Sequence, residues 1–271
     1  MRYLTFALTK GRLADKTLSM LEKTGITCEE MKDKDSRKLI FTNEELKLRF
    51  FLAKGPDVPT YVEYGAADIG VVGKDTILEE GRKVHEVLDL GYGKCKMCVC
   101  GYKDAAPLLQ HHELIRVATK YPNIAKDYFY NKKHQTVEII KLNGSIEIAP
   151  ILGLSDVIFD IVETGNTLRE NDLEVLTEVV PISARLPAEA EVQQLIHIRL
   201  VLEEDVRAAH ADVRCATLDI DLDIRRLHPE VADALLRILE GELPVLLEDR
   251  RTVEAGLRHH RVGLVPEAAL R

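Results

Sequence analysis

The chain has 271 residues, 46% of them apolar and 30% charged, the balance of a soluble globular protein with room for two domains or three small ones. Its formal net charge of −8 excludes a nucleic-acid binder held by phosphate contacts, although a local basic pocket for an anionic substrate remains compatible with it. No apolar run approaches the roughly 18 residues of a membrane span, and Met1 to Leu8 is too short in its apolar part for a signal peptide, so a cytoplasmic protein without membrane association is expected.

Residues 3–8 predict a first strand. Lys10-Gly11-Arg12 follows at once, and then a helical pattern through Leu13, Leu18 and Leu21 that Gly25 ends. A basic, glycine-containing loop between strand and helix suits an anion, or is a solvated turn. Ser36 to Phe41, a polar turn at Thr42–Glu45 and a strand from Leu46 to Ala53 come next. Lys54-Gly55-Pro56 breaks that strand, and a helix begins near Tyr61. Ala66 to Asp75 reads as strand and turn. The order strand, loop, helix, repeated, predicts an α/β domain with mainly parallel strands and ligand loops at their carboxyl ends.

Further strands are expected at 84–90, 97–101, 115–119 and 137–141, with a helix over 124–131. Cys95, Cys98 and Cys100 lack a second cysteine pair at zinc spacing. Cys98 and Cys100 alternate with Val99, as in a strand of buried, reduced thiols, and five cysteines, an odd number, do not point to a disulfide framework. Val157–Val162 is a short apolar run ending in Glu163-Thr164-Gly165-Asn166-Thr167. There Gly165 permits close backbone approach, Thr164 and Thr167 offer hydroxyl donors, and Asp160 and Glu163 can accept from sugar hydroxyls. Such a loop fits a phosphosugar held near a helix N-terminus, or is an ordinary strand–turn–helix corner. After it, 171–180 reads as a short helix and a strand, closing at Ser183–Leu186.

All 18 lysines lie at or before Lys141, whereas eleven arginines follow position 186. This shift places a seam near Pro187-Ala188-Glu189-Ala190-Glu191. Beyond it, helices near 189–209, 229–240 and 250–259 and strands near 213–223, 243–247 and 262–265 predict a small α+β extension. Asp219, Asp221, Asp223 and His259-His260 in it read as a solvated edge rather than a metal site.

Residues 1–186 resemble the catalytic part of the ATP phosphoribosyltransferase family, which opens histidine biosynthesis. The resemblance rests on Thr9-Lys10-Gly11-Arg12-Leu13, Pro56 to Val62, Gly65 to Asp75, Ala118-Thr119-Lys120-Tyr121-Pro122-Asn123, Gly144-Ser145-Ile146-Glu147, Gly153-Leu154-Ser155-Asp156 and Asp160 to Leu168, in one order along about two-thirds of the chain. It implies a two-lobed α/β core of the periplasmic-binding-protein type II kind, followed by the α+β extension. Lobe I would comprise 1–90 completed by 169–186, and lobe II 91–168. It implies that N1 of the adenine of ATP joins C1 of phosphoribosyl pyrophosphate, with magnesium on the pyrophosphate and no metal ligands in the chain itself.

On that resemblance the 163–167 loop would hold the 5-phosphate, and Asp160 and Glu163 would face the ribose hydroxyls. Lys10, Gly11, Arg12, Arg37 and Lys54 would serve the pyrophosphate and ATP phosphates, with Arg37 and Lys54 in catalytic roles. Asp68, Gly73 and Lys74 would line the nucleotide side, and Glu147 would belong to the substrate site. A homo-oligomer is implied, together with a regulatory subunit similar to histidyl-tRNA synthetase, as in short family members; the segment 187–271 matches neither the short nor the long form. A bilobal anion-binding protein without chemistry, or an inactive fusion, is the rival reading.

Overall fold

Strand β1 (Leu4–Thr9) is apolar at almost every position because its sheet is covered on both faces: Leu4, Phe6, Ala7 and Leu8 are all buried. In this computed structural model, which describes residues 3–33, 36–110 and 114–188, β1 runs parallel to both of its neighbours. One is β3 (Leu48–Ala53), whose hairpin partner is β2 (Ile40–Asn43); the other is β4 (Ile69–Gly73). Helix α1 (Arg12–Lys23) follows β1, and α2 (Val58–Glu63) follows β3 after a 3-10 turn over Gly55–Asp57. α2 begins three residues before the Tyr61 start expected from sequence, because Pro59 suits a first helical turn. α3 (Lys74–Glu80) follows β4, and β5 (His85–Asp89) completes this part of the chain.

The chain then crosses to a second sheet through β6 (Cys95–Gly101), β7 (Ile115–Thr119), β8 (Val137–Lys141), β9 (Val157–Val162) and β10 (Glu174–Ile182). Its helices are α4 (Pro122–Lys126), continued by a π-helical turn over Asp127–Lys132, α5 (Ile148–Ile151) and α6 (Asn166–Glu170). β11 (Ala184–Ala188) returns to the first sheet, antiparallel to β4 and β5. Among the described residues the first sheet has the order β2-β3-β1-β4-β11-β5 and the second β10-β6-β9-β7-β8. The segments that cross between lobes supply an antiparallel strand beside the parallel set of each sheet, β11 in the first and β6 in the second; in the first sheet β2 is antiparallel as well, on the other side of the set. This is the two-lobed α/β architecture expected.

Apolar clusters cover the faces of each sheet. The larger one in the first lobe is built around Phe6, stacked on Phe50 at 5.1 Å; that in the second lobe surrounds Phe129 and Phe159. Cys98 and Cys100 are buried in β6, as their alternation predicted.

Two boundaries move. The chain does not rejoin the first lobe at 169: β10 pairs with β6 along Glu174–Ile182, so only β11 returns among the described residues. The alternation of a strand is the same whichever sheet it joins, so local sequence could not choose between them. The short helix expected within 171–180 sits earlier, at α6. The seam at Pro187 also falls inside a strand, since Pro187 and Ala188 are buried opposite Glu86 and His85. The elements expected from 189 onward, with Asp219, Asp221, Asp223, His259 and His260, lie outside the described residues.

Candidate active site

Parallel strands place their carboxyl ends on one edge, and the cleft between the lobes opens there. Thr9 pairs with Ala53 in register, so the loops after β1 and β3 set Lys10 and Lys54 side by side. The Lys10 N–H donates to the Ala53 carbonyl at 3.0 Å, and the Thr9 hydroxyl donates to the Val71 carbonyl at 2.8 Å, which ties β1 to the end of β4. Gly11, at φ 95°, turns the chain into α1 through a conformation that favours glycine. Ile40 of β2 lies opposite Phe51, near the carboxyl end of β3, and Arg37, three residues before β2, is exposed.

A cavity of about 230 Å³ between the lobes is lined by Arg12, Lys16, Gly73, Asp75, Cys95 and Glu163, among others. Arg12 Nη2 stands 3.7 Å from Glu163 Oε2, so the basic loop of the first lobe meets the 163–167 loop of the second. In that loop Gly165 is left-handed at φ 71° and opens α6. The Thr164 hydroxyl accepts from the Asn166 N–H at 3.4 Å, and Asn166 Oδ1 accepts from Arg169. Thr164, Asn166 and Thr167 are exposed.

The electrostatics centre on buried acids. Burial pushes the Asp160 carboxyl up to about 6; the Glu147 carboxylate raises it further, while the Ile161 N–H and the charge of Lys120 oppose the rise. Asp75 is raised by burial too, against hydrogen bonds from backbone N–H groups and from the Tyr121 hydroxyl of the other lobe. Lys120 acts on Asp75 as well, so this one cation serves acids on both sides of the cleft. The Cys95 thiol is pushed up to about 11 by burial and by Asp75 and Glu163, which leaves it protonated and unreactive.

Of the residues predicted from sequence, Arg12, Gly73 and Glu163 line the cavity; Lys10, Gly11 and Lys54 follow the carboxyl ends of β1 and β3, and Glu147 is near enough to Asp160 to raise its carboxyl. Asp68 is elsewhere: its carboxylate accepts the Thr5 N–H at 2.7 Å, at the opposite end of β1 and β4, where it ties the strand starts together. Lys74 turns to Glu86 at 3.5 Å, joining an ion-pair network with Arg185 and Asp89. Asp75, Lys120, Tyr121 and Lys16 were missed. The first three follow strand ends β4 and β7, a position rule that would have found them; Lys16 is simply one turn after Arg12.

The family model described as HisG, ATP phosphoribosyltransferase, matches residues 54–204. An ATP phosphoribosyltransferase of Lachnoclostridium phytofermentans is 74% identical over 200 residues, covering 74% of this chain and 93% of the relative. One of Oceanobacillus iheyensis is 49% identical over 205 residues, covering 73% and 97%. Among solved structures, the ATP phosphoribosyl transferase (HisG:HisZ) complex from Thermotoga maritima matches with a TM-score of 0.60 at 32% identity, covering 76% of this chain and 99% of that one.

Proposed function

The chain belongs to the ATP phosphoribosyltransferase family, and we propose that it performs the family's reaction in the cleft between its lobes. That reaction joins N1 of the adenine of ATP to C1 of phosphoribosyl pyrophosphate, releases pyrophosphate and opens histidine biosynthesis. The observation that carries the assignment of the site is the meeting of the two anion loops, with Arg12 and Glu163 3.7 Å apart.

In this reading the 163–167 loop holds the 5-phosphate of the phosphosugar, and Gly165 lets the backbone approach it. Asp160 and Glu163 accept hydrogen bonds from the ribose hydroxyls, which fixes C1 over the cleft. Lys10, Arg12, Arg37 and Lys54 face the pyrophosphate and the ATP phosphates. As the C1–O bond breaks, the ribose becomes oxocarbenium-like and negative charge gathers on the pyrophosphate. Cations already in place stabilise that charge without reorganising, so Arg37 and Lys54 act on the leaving group. The adenine N1 attacks with its own lone pair and needs no general base to activate it, so positioning carries the attack, and the proton of the 6-amino group is released to water afterwards. Gly73, with Asp75, Lys120 and Tyr121 around it, forms the nucleotide side. Asp68 and Lys74 are left to structural roles.

Magnesium would travel on the pyrophosphate. The described residues hold no group of three ligating side chains, and a magnesium ion that keeps its waters and substrate oxygens asks for only one or two carboxylates. Bound there, it neutralises leaving-group charge. The chain would work in the cytoplasm as a homo-oligomer with a regulatory subunit, a reading supported by the solved HisG:HisZ complex of Thermotoga maritima.

The test is the absorbance at 290 nm of phosphoribosyl-ATP formed from ATP, phosphoribosyl pyrophosphate and magnesium, with pyrophosphatase added, with and without the regulatory subunit. Product formation that falls about 100-fold or more in Lys54→Ala is expected, since charge-stabilising donors are worth that much. Nucleotide binding without turnover in both assemblies would overturn the reading.

A further inference from the structure

Helix α3 begins at the cleft with Asp75 and carries Glu79 one turn later, on the same face. Both reach the second lobe. Asp75 takes the Tyr121 hydroxyl. The Glu79 carboxylate accepts the Asn123 N–H at 3.2 and 3.0 Å and the Ile124 N–H at 3.1 Å, and the Glu79 carbonyl accepts Asn123 Nδ2 at 2.9 Å. These contacts grip the start of α4, two residues after Tyr121. The segment so gripped follows directly on Lys120 and Tyr121, whose charge and hydroxyl act on Asp75 at the cavity wall. Glu79 itself does not line the cavity, and burial raises its carboxyl, so the contact is partly sheltered from water.

We propose that Glu79 is a positioning residue: it clasps the start of α4 onto the first lobe and thereby sets the closure that brings Lys120 and Tyr121 against Asp75. The proposal rests on the cleft being the active site. Charge-assisted hydrogen bonds to backbone N–H groups are among the strong ones, and the clasp adds to the Asp75–Tyr121 hydrogen bond and the Arg12–Glu163 pair between the lobes. Without it, the closed arrangement would be populated in only a fraction of molecules. Apparent affinity for every ligand that needs closure then falls by that same fraction.

The experiment measures kinetics and amide exchange on the full chain carrying Glu79→Ala or Glu79→Gln. For Glu79→Ala, KM for ATP and KM for phosphoribosyl pyrophosphate should rise by a common factor, about tenfold, with kcat within about twofold. Exchange should quicken at residues 122–126. Glu79→Gln, which keeps an acceptor oxygen, should recover part of both effects. A fall in kcat with unchanged KM values would mark a merely structural residue and overturn the proposal. A rise for one substrate alone would mark direct contact and overturn it as well. Faster exchange at 122–126 with unaltered kinetics would overturn the positioning role. Arg12→Ala, run alongside, separates the premise: unchanged kinetics there would sink the cleft as active site, whatever Glu79 does.

Discussion

At Gly73 the backbone is unstrained, with φ −68°, yet an added side chain must displace a neighbour. A Cβ there would stand 2.1 Å from Asp75 Oδ1, because the carboxylate is folded back over the glycine. Gly73→Ala must therefore push Asp75 aside and strand the buried Tyr121 hydroxyl, a loss of about 1–3 kcal/mol. Activity should drop at least tenfold while the circular dichroism spectrum stays native; full activity would show that Asp75 need not sit where it does. Asp160 makes a different trade. Its carboxyl is raised to about 6, so between its unfolded value and 6 the folded state holds a proton that the unfolded state has released. Stability from this group is present at low pH and lost as pH rises through about 6, by at most about 3 kcal/mol. Asp160→Asn should raise the thermal midpoint at pH 7.5, with the gain shrinking toward pH 4.5, and should abolish turnover. In the native enzyme, kcat/KM should fall as pH drops below about 6, since the carboxylate is the stronger acceptor for the ribose hydroxyls. An acid limb near 4 would overturn the assignment.

At the scale of elements, β9 is aimed by the residues just before it. Asp156 accepts the Arg116 N–H at 2.7 Å and Arg116 Nη2 at 2.8 Å, and Arg116 also donates to the Gly153 carbonyl at 2.9 Å. The guanidinium holds the Asp156 carboxyl below its ordinary range, so the stabilisation is present at neutral pH and lost as pH falls through that lowered value. Asp156→Ala should lower the urea midpoint at pH 7.5, and the gap to the native protein should close in acid; a gap independent of pH would exclude the ion pair as its source. Arg116 and Asp156 are 40 residues apart, and nothing in either segment announced the pair. The elements themselves were legible where local signals agree: β1 and β9 as continuous apolar runs, α1 from its periodicity and the glycine after it. Lys10, Lys54 and Gly165 were legible because a loop after a parallel strand is a place as well as a composition. Asp68 misled for the converse reason. It sits beside the strand in sequence but at the strand's start, whereas ligands gather at strand ends. The partner of β10 and the Glu79 clasp are tertiary facts, set by which surfaces remain uncovered once the lobes form.

For the whole molecule the sign of the charge is misleading. The chain carries a net charge of −8, yet Arg12 and Lys16 line the cavity and Lys10 and Lys54 follow the ends of β1 and β3, and both substrates are polyanions. A low-dielectric cleft focuses the field of its own lining, while the acids spread over the rest of the surface are screened by salt. The screening length shrinks from about 10 Å at 0.1 M to about 3 Å at 1 M salt. Charges at the cleft mouth therefore lose their reach before those in contact with substrate do. KM for ATP and for phosphoribosyl pyrophosphate should both rise, roughly three- to tenfold, between these salt concentrations, although the protein as a whole repels anions. The rise should flatten in Lys16→Ala, which removes a cation from the cleft wall without touching the loops. Initial rates in choline chloride, at constant free magnesium, make the measurement. KM values that fall with salt would mean that the net charge governs approach, and that the basic lining acts only after the substrates have arrived.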